Sequence, residues 1–355
     1  MDRFIIRKIL DSPIVGSFLS LMGFKRLWAE YRIYSAKKRF LAEAKKEYEK
    51  GSTLGSFEDY KQAVEKHLVS YNEYAHQYEF YKLSEDERGE FVSRRMMDYF
   101  YRRYIPFEVN SIFRVKPKFL TIFNKFIHRQ WLFVPDTSFE KFKQLVVNYD
   151  CIVKPCDESL GKGIFKVYKG KTDCKELYDY CVKNRLLVEE CVDSCEELKA
   201  LHPESLNTIR VVTVSNKDKA VVFGSILRMG VGNSIVDNAH FGGVFAQINI
   251  KEGIIESDGV DVDGHTYTHH PDSGIKLKGL RIPHWDSIVA TCCEAAKMTL
   301  NTVSGWDVAI NSNGGIEFIE GNASPDFDLM QSPLKVGVKK RLFSLIKEYS
   351  GVCIK

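Results

Sequence analysis

The stretch Gly305–Asn322, GWDVAINSNGGIEFIEGN, constrains this chain more than any other. Two apolar runs rich in β-formers flank Asn313-Gly314, a dipeptide suited to a two-residue hairpin turn. With those two residues as the turn, cross-strand partners have residue numbers that sum to 627. Asp307 then faces Glu320, with side chains about 5 Å apart on one face of the sheet. Asn322 shares that face, because strand side chains alternate. Like charges directly opposite each other destabilise a sheet, so positive charge is required nearby. A neighbouring Lys or Arg meets that need structurally. A hard divalent cation, Mg²⁺ or Mn²⁺, meets it functionally, with two carboxylates, an amide oxygen and phosphate oxygens as ligands.

A phosphate partner has a candidate upstream. CIVKPCDESLGKGIFKVYKG (Cys151–Gly170) reads as strand, polar loop, strand. Ser159, Gly161 and Gly163 allow backbone N–H groups to turn inward as an anion nest. Lys154 and Lys162 add point charge suited to phosphate. The spacing is not that of a Walker A loop, and a Gly-Lys-Gly loop alone is usually a plain turn. Further on, the strand in LLVEECVDSCEE (Leu186–Glu197) runs into a cluster of acids. It reads either as a strand exit before a solvated helix or as a nucleoside pocket.

Arg210 in TIRVVTV and Arg228 in SILRMG sit within strands, where an unpaired charge is costly to bury. Each suits the stabilisation of a transferring phosphoryl group, and an ion pair is the competing reading. Asn238, His240, Gly242 and Gly243 lie on a turn suited to line an acceptor site.

At 44% hydrophobic and 28% charged, the 355 residues have the make-up of an ordinary globular protein of two or more units. Nine cysteines without CxxC spacing favour buried thiols in a reduced, cytoplasmic setting. The net charge of +4 conceals an excess of +6 in residues 1–50. No apolar run reaches the roughly 20 residues of a membrane span. PIVGSFLSLMGF (Pro13–Phe24) is flanked by basic residues, so peripheral contact of residues 1–26 with the inner face of a membrane competes with packing on the chain's own core. Nucleic acid is not an expected partner, because no reader motif accompanies the charge.

Residues 1–110 read as helical, with Gly51 as a stop and Ser84-x-x-Glu87 as a capping box. FEDYKQAVEKHLVSYNEYAHQYEFYKL reads as one continuing helical pattern, and its aromatic residues as packing rather than a base-stacking surface. Residues 111–355 read as an α+β region: KFLTIFNKFIHRQW helical, then strands between Gly-rich turns, a loop-rich stretch over 253–285, the helix WDSIVATCCEAAKMTL, the hairpin, and a final helix closed by Gly351.

In this order, KP with its Gly-rich loop, the VEE strand, and an Asp thirteen residues before Glu-x-Asn resemble the ATP-grasp superfamily. SLNTIRVVTV, DNAHFGGVFAQIN and IEGNASPDFDLMQ resemble its sugar-transfer-associated branch. The resemblance implies an ATP-grasp fold, two α+β subdomains gripping ATP, with the flap subdomain over about residues 138–200 and a helical domain in front. It implies that Lys154 and the flap at Ser159–Gly163 contact the ATP phosphates, and that a helix lysine joins them, Lys118 by best spacing, with Lys116 and Lys125 competing. Glu189 would accept from the adenine amine, the chain at Glu190, Cys191 and Val192 would hold the ring edge, and Glu196 (or Glu197) would take the ribose. Asp307, Glu320 and Asn322 would hold Mg²⁺. The implied activity is carboxylate–amine ligation through an acylphosphate, forming an amide on a carboxylated sugar during bacterial surface-polysaccharide synthesis. A kinase and a nucleotide-binding regulatory subunit are the alternatives. The helical domain would cap the acceptor pocket, form a homodimer or dock on a membrane-bound transferase.

Overall fold

The computed structural model describes residues 25–79, 81–156, 163–234, 237 and 242–354. Residues 1–24, Phe80, Ser159, Gly161, Lys162, Asn238 and His240 lie outside that set. The chain divides into two compact units, Met1–Phe107 with Asp326–Lys355, and Glu108–Pro325.

In the first unit, helices Lys25–Glu49, Phe57–His67 and Tyr71–Glu79 bury Phe40, Ala44, Tyr60, Val64 and Tyr74 in one cluster. The apparently continuous pattern after Phe57 is two helices, because Leu68 takes a left-handed conformation (φ 55°) and ends the first. Capping boxes form at Ser56/Asp59 and Ser84/Glu87, each acid returning a bond to its cap backbone. The aromatic residues pack edge to face, as Tyr60 does on Tyr71 and Tyr74, and Phe100 and Tyr101 are buried. Residues 326–355, expected to close the α+β domain, pack instead within this helical unit. The Gln331 side chain exchanges hydrogen bonds with the Val92 backbone at 2.8 and 3.1 Å, and Lys339 N–H donates to Glu90. Gly337 lies so close to Glu90 that an added Cβ would meet its carbonyl at 2.3 Å. The final helix, Lys339–Ser350, ends at Gly351 in the left-handed region.

The second unit holds two antiparallel sheets. The smaller contains β1 (Trp131–Phe133), β2 (Cys151–Pro155), β3 (Phe165–Val167) and β4 (Leu186–Glu190) in the order β1-β4-β2-β3. Helices Phe139–Asn148 and Cys174–Lys183 cover one face, burying Phe142, Leu145, Leu177 and Cys181 against Val153 and Val188. KFLTIFNKFIHRQW holds only the end of the α-helix Lys116–Ile122 and a short 3-10 turn at Asn124–Phe126, and its last residue, Trp131, opens β1 opposite Glu189.

The larger sheet contains β5 (Thr208–Ser215), β6 (Ala220–Met229), β7 (Val244–Asn249), β8 (Ile254–Ile255), β9 (Gly259–Val260), β10 (Thr266–Tyr267), β11 (Val303–Ile310) and β12 (Ile316–Asn322). Its order is β10-β9-β7-β6-β5-β11-β12, with β8 on β7. β5, β6 and β11 are buried along most of their length, as central strands are, and helix Trp285–Lys297 packs over them. Phe113, Phe123 and Phe318 enclose the fully buried Trp306.

The hairpin pairs Asp307 with Glu320, Trp306 with Gly321 and Gly305 with Asn322. The turn is not the expected two residues. Asn311 Oδ1 accepts the N–H groups of Asn313 (3.1 Å) and Gly315 (2.8 Å), shaping a five-residue turn whose strands first pair at Ile310 and Ile316. A bulge at Ile319 between the Val308–Phe318 and Asp307–Glu320 pairs then restores the acid pairing.

Candidate active site

A cavity of about 710 Å³ in the second unit brings several of these elements together. Its wall takes Lys154 and Pro155 from β2, Glu189 and Glu190 from β4, and Cys191 to Ser194 beyond it. Thr208 comes from β5, Arg228 from β6, Asp307 from β11, and Ile319 and Glu320 from β12.

Register sets the charges. Asp307 pairs with Arg210 on one side and Glu320 on the other, so an arginine and two acids lie in a row across three strands. Arg210 donates to Asp307 through Nε (2.6 Å, Oδ1) and a terminal nitrogen (2.6 Å, Oδ2), in a bidentate pair. Arg228 donates to Asp307 Oδ2 at 2.7 Å and to Asp237 Oδ1 at 2.8 Å. Asp237 also accepts the backbone N–H (2.9 Å) and hydroxyl of Thr208. Burial acts to raise the Asp307 pKa, but the two guanidinium groups hold it well below the usual carboxylate range. Burial, and next to it the charge of Asp307, raises the Glu320 carboxyl, and the two acids share a hydrogen bond.

That pair carries the test for a metal. A proton shared by the buried Asp307 and the cavity-facing, exposed Glu320 supplies the charge that a divalent cation would supply in its place. The oxygen set suits a hard ion, with Glu320 the better placed, because three guanidinium N–H groups already reach Asp307. Asn322 lies two residues along the same face as Glu320, though off the cavity wall, and its Oδ1 accepts Ser324 N–H at 2.8 Å.

A second charge network lies behind β4. Arg129 is buried and donates to Glu189 Oε2 (3.0 Å), Glu317 Oε1 (2.6 Å) and the Phe318 carbonyl (2.6 Å). It thereby joins β4 of the small sheet to β12 of the large one. Lys154 Nζ reaches the same Glu189 oxygen at 2.8 Å. These cations hold Glu189 below its ordinary pKa in spite of full burial. Its other oxygen, Oε1, is buried with no hydrogen-bond partner, an open acceptor on a residue of the cavity wall.

Several expected site residues are placed differently. Lys118 is exposed and donates to Ser111 at 2.9 Å, and Lys125 pairs with Glu294 at the surface. The helix lysine on the wall is Lys116, whose pKa is lowered by burial and by Lys154 nearby. One helical position decides this, since residues two apart point to different faces. Glu196 and Glu197 are exposed and off the wall, whereas Asp193 is on it, held by Lys199 at 3.0 Å. Arg210, expected to face a phosphoryl group, is committed to Asp307, and Arg228 is the strand arginine on the wall. Gly163 turns the chain into β3 with φ +72°, while Gly242 (φ +86°) and Gly243 precede β7, off the wall.

Arg129 and Asp237 escape sequence reasoning. The first lies in a stretch that reads as helix, and the second sits in a polar turn without charge periodicity. The available signal was Arg129 itself, a cation just before the apolar run Trp131–Val134.

Among solved structures, the ATP-grasp ligase PsnB with a minimal precursor shares 15% identity at TM-score 0.42, covering 70% of this chain and 63% of that one. D-alanyl-alanine synthetase A from Vibrio cholerae shares 13% at TM-score 0.43, covering 74% and 73%. Biotin carboxylase from Campylobacter jejuni shares 13% at TM-score 0.43, covering 68% and 47%. No curated protein matches the sequence. The sequence model of one family, described as sugar-transfer associated ATP-grasp, matches residues 96–347, and the chain belongs to that family.

Proposed function

We propose that this chain is an ATP-dependent carboxylate–amine ligase that acts through an acylphosphate on a carboxylated sugar. The observation that carries the reading is the convergence of the Asp307–Glu320 pair with Lys116, Lys154 and Arg228 on one cavity. Lys116 and Lys154 supply ammonium groups for the nucleotide phosphates. The open Oε1 of Glu189 accepts from the adenine amine, and the chain at Glu190, Cys191 and Val192 offers its edge to the ring. Glu320, Asp307 and Asn322 would hold Mg²⁺, which when bound neutralises charge on the β- and γ-phosphates.

Arg228, braced by Asp237 and Asp307, keeps its guanidinium oriented for the transferring group. A substrate carboxylate oxygen attacks the γ-phosphorus in line, and the bond to ADP breaks. An amine then forms a bond to the acyl carbon, phosphate leaves, and an amide remains.

The test is ADP release over uronic acids paired with amino acids, with mass spectrometry for a product formed by loss of water. Release that requires both an acid and an amine supports ligation. Release with a single hydroxyl acceptor identifies a kinase, and ATP binding without turnover a regulatory subunit.

A further inference from the structure

The cavity wall also includes Ser205, a hydroxyl with no part in the chemistry above. It lies in the loop before β5 and is buried together with His202. Ser205 Oγ and His202 Nδ1 are 2.9 Å apart. The other ring nitrogen, Nε2, lies 2.8 Å from the Gly232 carbonyl. A carbonyl only accepts, so in the neutral ring the proton sits on Nε2 and Nδ1 accepts the Ser205 hydroxyl in preference to Asn207 Oδ1, which lies farther off at 3.3 Å. Asp272 Oδ2 lies 3.8 Å from Nε2 and is itself held by Gly232 N–H at 2.8 Å. His270 packs nearby, its Nε2 donating to the Gly230 carbonyl at 2.9 Å. The fit is close, since a Cβ on Gly230 would lie 2.2 Å from Ser205 Oγ.

We propose that Ser205 and His202 form a proton relay that takes the proton from the attacking amine in the second half-reaction. The proposal rests on the ligase reading. As the amine nitrogen bonds to the acyl carbon, the acyl carbon–oxygen bond breaks and its electron pair leaves with phosphate. Before that attack, one proton of the incoming ammonium passes to Ser205 Oγ while the Ser205 hydroxyl proton moves to His202 Nδ1, and the second N–H proton lost on amide formation leaves with the phosphate. The resulting imidazolium faces the Asp272 carboxylate and returns its proton to solvent between turnovers. Ser205 is the catalytic residue, and His202 positions and drains it.

The experiment compares Ser205→Ala, Ser205→Thr and His202→Gln with the parent chain. Glucuronate or galacturonate is supplied with ATP and either glycine or hydroxylamine, a nucleophile uncharged at neutral pH. Ser205→Ala and His202→Gln are expected to lose about 100-fold in kcat with glycine, the typical effect of a general base, and to stay within about threefold with hydroxylamine. The glycine pH profile should lose its ascending limb in both variants, and Ser205→Thr should restore activity. Equal losses with both nucleophiles, or an unchanged pH profile, would overturn the relay and leave a structural knot. A parent chain that forms no hydroxamate with either acid removes the ligase reading, and the relay with it.

Discussion

Replacing Arg129 with Met tests how the two sheets of the second unit are joined. The guanidinium serves Glu189, Glu317 and the Phe318 carbonyl, all within 3.0 Å, and is buried with them. After Arg129→Met, Glu189 keeps Lys154, and Glu317 keeps the His128 backbone N–H and ring and the backbone N–H of residue 129 but loses its guanidinium. A buried carboxylate stripped of its cation costs about 3–5 kcal/mol. For a unit of this size that is a fall of roughly 6–20 °C in Tm. Much of this loss comes from the orphaned charge, so Arg129→Met with Glu317→Gln should recover at least half of it. Arg129→Lys should recover less, because one ammonium cannot span both carboxylates and a carbonyl. Thermal unfolding followed by circular dichroism measures each variant. A Tm for Arg129→Met within about 2 °C of the parent, or a double variant no better than the single one, would refute the clamp.

Lys116→Met should raise the KM for ATP at least tenfold while Lys118→Met leaves it within twofold, in steady-state ADP-release assays; the reverse order would return the helix-lysine role to Lys118. His270 makes a pH prediction. Burial lowers its pKa below the ordinary 6.5, so the unfolded chain takes up the proton first as pH falls. Stability should therefore be level above about 6.5 and fall as pH drops below it, with a shallower fall in His270→Gln, measured by urea unfolding from pH 5 to 8. Ser56→Ala breaks the capping box of helix Phe57–His67 and should cost about 1 kcal/mol, read from the same unfolding curves, with ATP turnover unchanged.

The large sheet can be read from the sequence because β5 and β6 are β-former-rich runs bounded by turn residues and β11 is one arm of a hairpin. Their order across the sheet cannot, since it depends on pairings between distant segments. Asp307 and Glu320 can be matched because both sit on one hairpin, where register is local. The turn itself is hidden: the Asn311 side chain, not Asn313-Gly314 alone, organises it. Lys116 ranks behind Lys118 in the sequence for a different reason. Lysines 116, 118 and 125 lie close along the chain, and only the true helix limits, Lys116–Ile122, settle which of them turns inward. Arg129 belongs to neither periodicity; its role exists only once β4 and β12 come within reach of one side chain.

The bulge at Ile319 has a consequence for how the hairpin tolerates change. With the five-residue tip and no extra residue, Asp307 would fall opposite Ile319, and Glu320 would join Trp306 on the apolar face. Looping out this one aliphatic residue thus decides whether two acids thirteen positions apart meet at all. Deleting Ile319 should leave the pair facing and the centre intact, because Glu320 then follows Phe318 directly, whereas a second residue inserted beside Ile319 should carry Glu320 off Asp307 with every ligand still present in the chain.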